Sequence, residues 1–375
     1  PHTPQHTDES LAGANAEIVT AHVTSVTPLP CTYLGATPPD QIAETSAATQ
    51  QPDCLNVRAE LAIGTPVTFM IDQVNTRTHS IHPGDTVKLV AQELIFEGTT
   101  ETHYSFYDHP RGAKMLTIVV LFALIVIAVG RWRGALSLVG VGTAVTLLVL
   151  FVLPAILSGE PPILVAIVGA TSIMVIVLYL AHGISHRTTA ALFGSIFGIL
   201  FTALAGYAAT RWLRFTGIAS TEDASLAIAV PDLQMNDVLT ATIVIAGLGV
   251  LNDITVAQAS AVWEMRALNP HLSKRRIYLS AMRVGRDHIA SSIYTLVFAY
   301  AGAMFVVLLL LYTYPRDLID LVTTELIGQE IIRTLIGAAG LVLSMPITTA
   351  FAVLFAQEAA PRGEIDQRKH ENSER

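Results

Sequence analysis

The sequence predicts a polytopic α-helical membrane protein that carries a β-rich extracytoplasmic domain at its N-terminus. Three observations predict it. The chain is 52 % hydrophobic and only 14 % charged, with a mean hydropathy of +0.53. That is too apolar for a soluble protein of 375 residues. Polar composition is concentrated in residues 1–114, and membrane-length apolar runs follow Met115. Two islands of polar and ionisable residues then interrupt those runs, at Gly249–Ser260 and Gly285–Ser292. Ionisable groups in a spanning helix are costly and usually face a bundle interior or a water-filled cavity.

In the first domain, residues 1–114, five short runs rich in Val, Ile, Thr and aromatics read as strands: Ile18–Val26, Asn56–Ile63, Val67–Val74, Thr86–Gln92 and Thr102–Tyr107. Five such strands predict a small β-barrel or sandwich, with an OB-like barrel among the options. A Thr/Pro/Gln/Ala-rich loop, Thr32–Pro52, separates the first two and is bounded by Cys31 and Cys54. These are the only two cysteines. An exported domain lies in an oxidising compartment, so a Cys31–Cys54 disulfide is expected, stabilising by about 3 kcal/mol in the chain-entropy model. His79 and His82 precede a Pro83-Gly84-Asp85 turn. Two loop histidines are more often solvated than metal-bound; no cofactor is expected, and the sequence leaves the question of a metal open. The domain is not basic, which excludes nucleic acid as a partner.

In the second domain, residues 115–357, seven segments have about the length a spanning helix needs, roughly 20 residues. They are Met115–Gly130, Leu136–Pro154, Ile163–Ala181, Ala190–Thr210, Val238–Gln258, Ile289–Tyr312 and Ile331–Phe355. The tight turn Arg131-Trp132-Arg133-Gly134 makes the first two a hairpin. Gly194-x-x-x-Gly198 is a helix-packing feature. Pro346 should kink the last helix, with Ser344, Thr348 and Thr349 near enough to satisfy freed backbone groups. Lys and Arg are concentrated in alternate loops: Arg131 and Arg133, Arg187, the Arg266–Arg286 region, and the polar tail 358–375. The positive-inside bias puts those loops and the C-terminus in the cytoplasm and residues 1–114 outside. Delivery of that outer domain requires a signal peptide or anchor helix upstream of Pro1. Lys274, Arg275 and Arg276 fit anionic lipid headgroups, with ordinary positive-inside topology as the plainer reading.

The islands supply the candidate site. On a helix, Asp253, Ser260 and Glu264 share one face, and Asn252, Thr255 and Gln258 share another. Such a segment should be buried among neighbours, or partly unwound near Gly247-x-Gly249. Asp287, His288, Ser291, Ser292 and Thr295 form one polar arc at the start of the next span. Topology sets Asp253, Asp287 and His288, and the pair His182 and His186, near the cytoplasmic side, which predicts a vestibule there. The expected site is Asn252, Asp253, Gln258, Asp287, His288 and Ser291, with His182, His186, Glu264 and Arg286 as secondary members. The competing reading is that these groups are polar glue between helices. His182 and His186 have an i, i+4 metal-ligand spacing, but Gly183 between them and a place at the membrane edge argue against it.

The run Gly249–Glu264 (GVLNDITVAQASAVWE), Asn269-Pro270, and the Ala281–Ser292 segment with its Gly285-Arg286-Asp287-His288 core resemble the YibE/F family of bacterial membrane proteins. The resemblance extends to Tyr104–Arg111, Tyr179–His182 and Tyr294–Gly302, and so spans nearly all of residues 18–355. The Arg-Trp-Arg-Gly turn is similar to the actinobacterial branch. The resemblance implies several spanning helices and a hydrophobic segment upstream of Pro1, and it brings no substrate or catalytic residue to carry over. Three functions are expected to compete. The first is a permease or exporter of an ion or small polar solute in the cytoplasmic membrane. The second is an accessory or scaffold subunit of an envelope complex, as a homo-oligomer or with other envelope proteins. The third is an intramembrane enzyme using His182, His186, Asp253 and His288, for which the sequence holds no HExxH, GxSxG or Walker motif.

Overall fold

The computed structural model describes residues 17–29, 54–71, 81–96, 99–313 and 317–356. The chain divides into two compact units, one ending at Phe122 and the other beginning at Ala123.

The first unit is built on five antiparallel strands, β1 (Glu17–Leu29), β2 (Cys54–Leu61), β3 (Pro66–Ile71), β4 (Thr86–Phe96) and β5 (Thr99–Asp108). They pair in the order β3-β2-β1-β4-β5. Alternation is strict on β3, where Val67, Phe69 and Ile71 point inward and Thr68 and Met70 outward. Ala21, Val23, Val57, Ala59, Leu61, Val87 and Leu89 complete this core. Register shifts at Val23/Ser25 on β1 and at Lys88/Leu89 on β4 bend the sheet. Phe69 of β3 therefore stacks on Phe106 of β5 with ring centroids 6.4 Å apart, although four other pairings separate the two strands. The result is a half-barrel with its core inside the curl. Cys54 opens β2, is fully buried, and stands opposite Leu29. Cys31 and His79 lie outside the described residues. His82 belongs to the turn, its N–H donating to Asp85 Oδ2 at 2.8 Å. No group that could hold a metal ion occurs among the described residues.

The second unit is helical. α1 (Gly112–Leu147) continues through a π-helical turn, Leu148–Val152, into α2 (Leu153–Leu157). There follow α3 (Pro162–His182), α4 (His186–Trp212), α5 (Thr221–Ala229), α6 (Met235–Leu268), α7 (Lys274–Ala303), α8 (Phe305–Tyr312), α9 (Leu318–Val322) and α10 (Glu325–Phe355). Among the described residues five helices are long and apolar enough to cross a membrane. The α7–α8 pair, bent by 63°, makes a sixth if counted as one. The sequence-based count of seven differs because Met115–Gly130 and Leu136–Pro154 join into one helical element across Arg131. Arg131 itself has φ 52° and ψ −136°, outside the helical region. A methyl group at Gly134 would collide with the Val126 carbonyl oxygen. In a straight helix those positions are about 12 Å apart along the axis, so the chain turns back sharply at Arg131. Met115–Val129 expose apolar side chains on every side, a pattern suited to an apolar solvent.

α4, α6 and α10 form the centre of this unit. Gly194, Gly198 and Thr202 of α4 lie in a row one turn apart, facing Gly340, Ser344 and Thr348 of α10. A methyl group at Gly194 would overlap Thr348 Oγ1, and one at Gly198 would overlap Ser344 Oγ. The packing role expected of Gly194-x-x-x-Gly198 is observed. α10 runs through Pro346 as one helix. Ser344, Thr348 and Thr349 donate to the carbonyls of Gly340, Ser344 and Met345 at 2.6–2.8 Å. They do not reach the Val342 carbonyl, which Pro346 frees, because each hydroxyl bonds one turn behind its own residue.

Candidate functional site

α6 is one unbroken helix from Met235 to Leu268. Of the two alternatives, burial among neighbours or partial unwinding near Gly247-x-Gly249, the unwinding does not occur. Gly247 is buried beside Thr202, where a broken ladder would leave backbone groups without partners. The helix starts at Met235.

The two polar faces expected on α6 are real and point in opposite directions. Thr255 and Gln258 are buried and Asn252 is half-buried, whereas Asp253 and Glu264 are exposed. Only one face is covered by neighbours. Thr255 Oγ1 meets Ser195 Oγ of α4 at 2.9 Å. Gln258 Nε2 donates to the Ala281 carbonyl of α7 at 2.9 Å and to Thr349 Oγ1 of α10 at 2.8 Å. A methyl group at Gly285 would lie 2.6 Å from Gln258 Oε1, so only glycine lets α7 approach this closely. Gln258 thus ties three helices at one buried point. Asn252 Oδ1 is buried with no hydrogen-bond partner among the described residues.

The same contact sets the register between α6 and α7. Gln258 lies level with Ala281 and Gly285, so antiparallel helices bring Asp253 level with His288. Ile289 packs against the cluster of Ile254, Leu341 and Met345, which agrees. Asp287, His288, Ser291 and Thr295 fall on one arc as expected, and all are exposed, with Ser292 half-buried. Ser291 Oγ donates to the His288 carbonyl at 3.0 Å. The arc is turned away from the packed interior, because Ile277, Ala281, Gly285 and Leu296 occupy the inner face of α7. Among the described residues no hydrogen bond or salt bridge engages the side chains of Asp253, Asp287, His288 or Arg286. By this register Asp253 and His288 lie at about one level, Asp253, Asp287 and His288 are all exposed, and Gln258 is buried apart from them.

His182 and His186 are exposed at the α3–α4 turn. His186 precedes Ser195 by nine residues, about 13 Å along α4, so the histidines do not share the level of Asp253. Arg266 is buried and clasps the α6–α7 turn, with Nη1 donating to the carbonyls of Pro270 and Leu272 at 3.0 and 2.9 Å. Ser273 caps α7 by accepting from the Arg276 N–H, and Lys274, Arg275 and Arg276 are exposed beyond it.

A second polar station, which sequence reasoning missed, sits at the opposite end, where α6 and α10 begin. One carboxylate oxygen of Glu325 accepts from Thr216 N, Thr216 Oγ1, Gly217 N and Gln329 Nε2 at 2.7–2.9 Å. Gly217 (φ 82°) fits there because a side chain would strike the Met235 carbonyl. One turn further into α10, Arg333 Nη1 donates to Glu330 Oε2 at 2.6 Å and Nη2 to Thr242 Oγ1 of α6 at 3.3 Å. Arg333 Nε is buried and has no hydrogen-bond partner among the described residues. Gly217, Thr242, Gln329, Glu330 and Arg333 line a cavity of about 250 Å³ with Ser220, Asp223, Leu239 and Met304. Glu330 and Arg333, opposite charges at i, i+3 inside an apolar run, were the available signal.

No curated protein and no solved structure matches the chain. The profile of the YibE/F-like protein family matches residues 118–358, which takes in all the helices from within α1 to the end of α10 and leaves the β-domain outside. On that match, which covers well over half of its length, the chain belongs to the YibE/F-like family.

Proposed function

We propose that the protein is a permease or exporter of an ion or small polar solute in the bacterial cytoplasmic membrane. In this reading the β-domain is outside and the C-terminus is in the cytoplasm. The observation that carries it is the paired polar equipment of α6 and α10. Thr242, Glu330 and Arg333 lie near one end, and Asn252, Gln258 and Thr349 toward the other. Between them α4 packs closely on α10 through Gly198, Thr202, Gly340 and Ser344, as expected of a route closed at its middle. Asp253, Asp287 and His288 then form a strip that bilayer hydrocarbon solvates poorly and that water, solute or another chain would have to cover.

The chain crosses the membrane seven times in this proposal. The sharp reversal at Arg131 supports counting the two halves of α1 as two crossings, the second continued by α2, with α3, α4, α6, α7–α8 and α10 as the others. The strand order, together with the Phe69–Phe106 contact between the outermost strands, supports an OB-like barrel. A Cys31–Cys54 bridge belongs to the same proposal. Lys274, Arg275 and Arg276 would sit among anionic headgroups, each worth about 1 kcal/mol.

The test replaces Asp253 or Asp287 with Asn, which keeps size and hydrogen bonding and removes the charge. Both variants should insert and keep their thermal stability in detergent yet lose complementation of a deletion strain. Full complementation by both would remove the permease reading. It would favour an accessory or scaffold subunit, the alternative supported by the outward direction of the Asp253–Asp287–His288 strip.

A further inference from the structure

The bend at Met304 has a consequence for α10. Because α8 leaves the line of α7 by 63°, the two do not close against α10, and a groove of about 330 Å³ opens between them. Val297, Ala301 and Leu308 line one wall, Ile331 and Leu335 the other. The groove is almost wholly apolar. It shares Met304 and Glu330 with the polar cavity of about 250 Å³ that holds Arg333 and Thr242. Ligand pockets run to roughly 300–1,000 Å³, and the two spaces together fall within that range.

The geometry points to a binding site for an amphiphile with one acyl chain in this groove and an uncharged, oxygen-rich head in the adjoining cavity. The apolar wall selects the chain. The head is chosen by what the cavity still offers. Arg333 and Glu330 neutralise each other, and Asp223 Oδ2 is already held by the N–H groups of Ala219 and Ser220. A second anion would meet no unpaired cation there. Arg333 Nε is a buried donor without an acceptor among the described residues, and leaving such a group unmet costs about 1–3 kcal/mol. An ester carbonyl or hydroxyl oxygen would satisfy it. An acylglycerol has both parts, whether it is a bilayer glycerolipid or a free monoacylglycerol. This inference goes beyond solute transport, and its test reads binding alone.

The full chain in phosphatidylcholine nanodiscs would be illuminated with a diazirine-bearing monoacylglycerol, and the labelled peptides mapped by mass spectrometry. Labelling should concentrate on Tyr300–Leu308 and Ile327–Leu335 and exceed that of the lipid-facing side of α3. Ala301→Trp, which fills the groove, should abolish the excess. Arg333→Gln should lower apparent affinity about tenfold, the loss of one hydrogen bond to a charged group. Leu164→Trp, on the exposed face of α3, is the control and should change nothing. Competition by monoacylglycerol but not by diacylglycerol would identify a free single-chain amphiphile, and competition by both an uncharged two-chain bilayer glycerolipid. Equal competition by a fatty acid held anionic at high pH would overturn the uncharged head. Uniform labelling of all helices, or labelling unchanged by both Ala301→Trp and Arg333→Gln, would overturn the site.

Discussion

At the scale of single residues, Gln258 separates packing from function most cleanly. Its amide ties α6 to the Ala281 carbonyl and to Thr349. Replacing it with Ala should destabilise the protein by about 1–3 kcal/mol, the usual cost of stranding buried partners. Gln258→Leu keeps most of the volume and should cost less. Thermal unfolding in detergent measures both, and a folded Gln258→Leu protein that fails to complement would place this amide in the working site. The sequence made the two polar faces of α6 legible, since angular spacing alone separates Asp253 from Asn252 and Gln258. It left open which face is covered, because neither face is apolar enough to declare itself the inner one. Glu330 and Arg333 went unread for a related reason. A lone i, i+3 pair resembles a surface ion pair until Thr242 of α6 is seen beside it.

Among elements, the contact between α4 and α10 makes an asymmetric prediction about glycine. Gly194→Ala places a methyl group on Thr348 and should destabilise by about 1–3 kcal/mol, the usual cost of overpacking. Gly249→Ala meets open space and should stabilise α6 by up to about 1 kcal/mol, because alanine is the better helix former. Equal thermal shifts for the two would contradict the close approach at Gly194. In the sheet, Phe69 is buried and stacks on Phe106. Phe69→Ala should therefore cost about 3–5 kcal/mol and loosen the curl, read as faster proteolysis of the β-domain. All five strands were legible from alternation and turn residues, and the long apolar helices from their length, whereas Thr221–Ala229 and the reach of α7 back to Lys274 were not. The bend at Met304 was not, since Phe305–Tyr312 continues the apolar run without a break. Nor was the continuity of α6 through Gly247 and Gly249. Glycine marks where a helix can open, whereas the packed neighbours decide that it stays closed.

For the molecule as a whole, orientation is the claim on which the rest turns. Single cysteines introduced near Arg362, in a Cys31→Ser/Cys54→Ser background, should be blocked from an impermeant reagent in intact cells, whereas cysteines at exposed β-domain positions should react. The reverse pattern would invert every assignment of inside and outside. In the unmodified chain, intact mass with and without reduction before alkylation should reveal one bridge between Cys31 and Cys54, and two free thiols would refute it. The small-residue row of α4 carries a further implication, for the order of synthesis. Thr348, which fills the space left by Gly194, follows it by roughly 150 residues. At about 5–20 residues per second the ribosome needs roughly 8–30 s to make that stretch. For that interval the nascent chain holds a bare notch of glycines and hydroxyls waiting for a helix that does not yet exist. A chaperone or membrane protease that recognises small, polar helix surfaces would thus distinguish an unfinished or truncated chain from a completed one by the presence of α10.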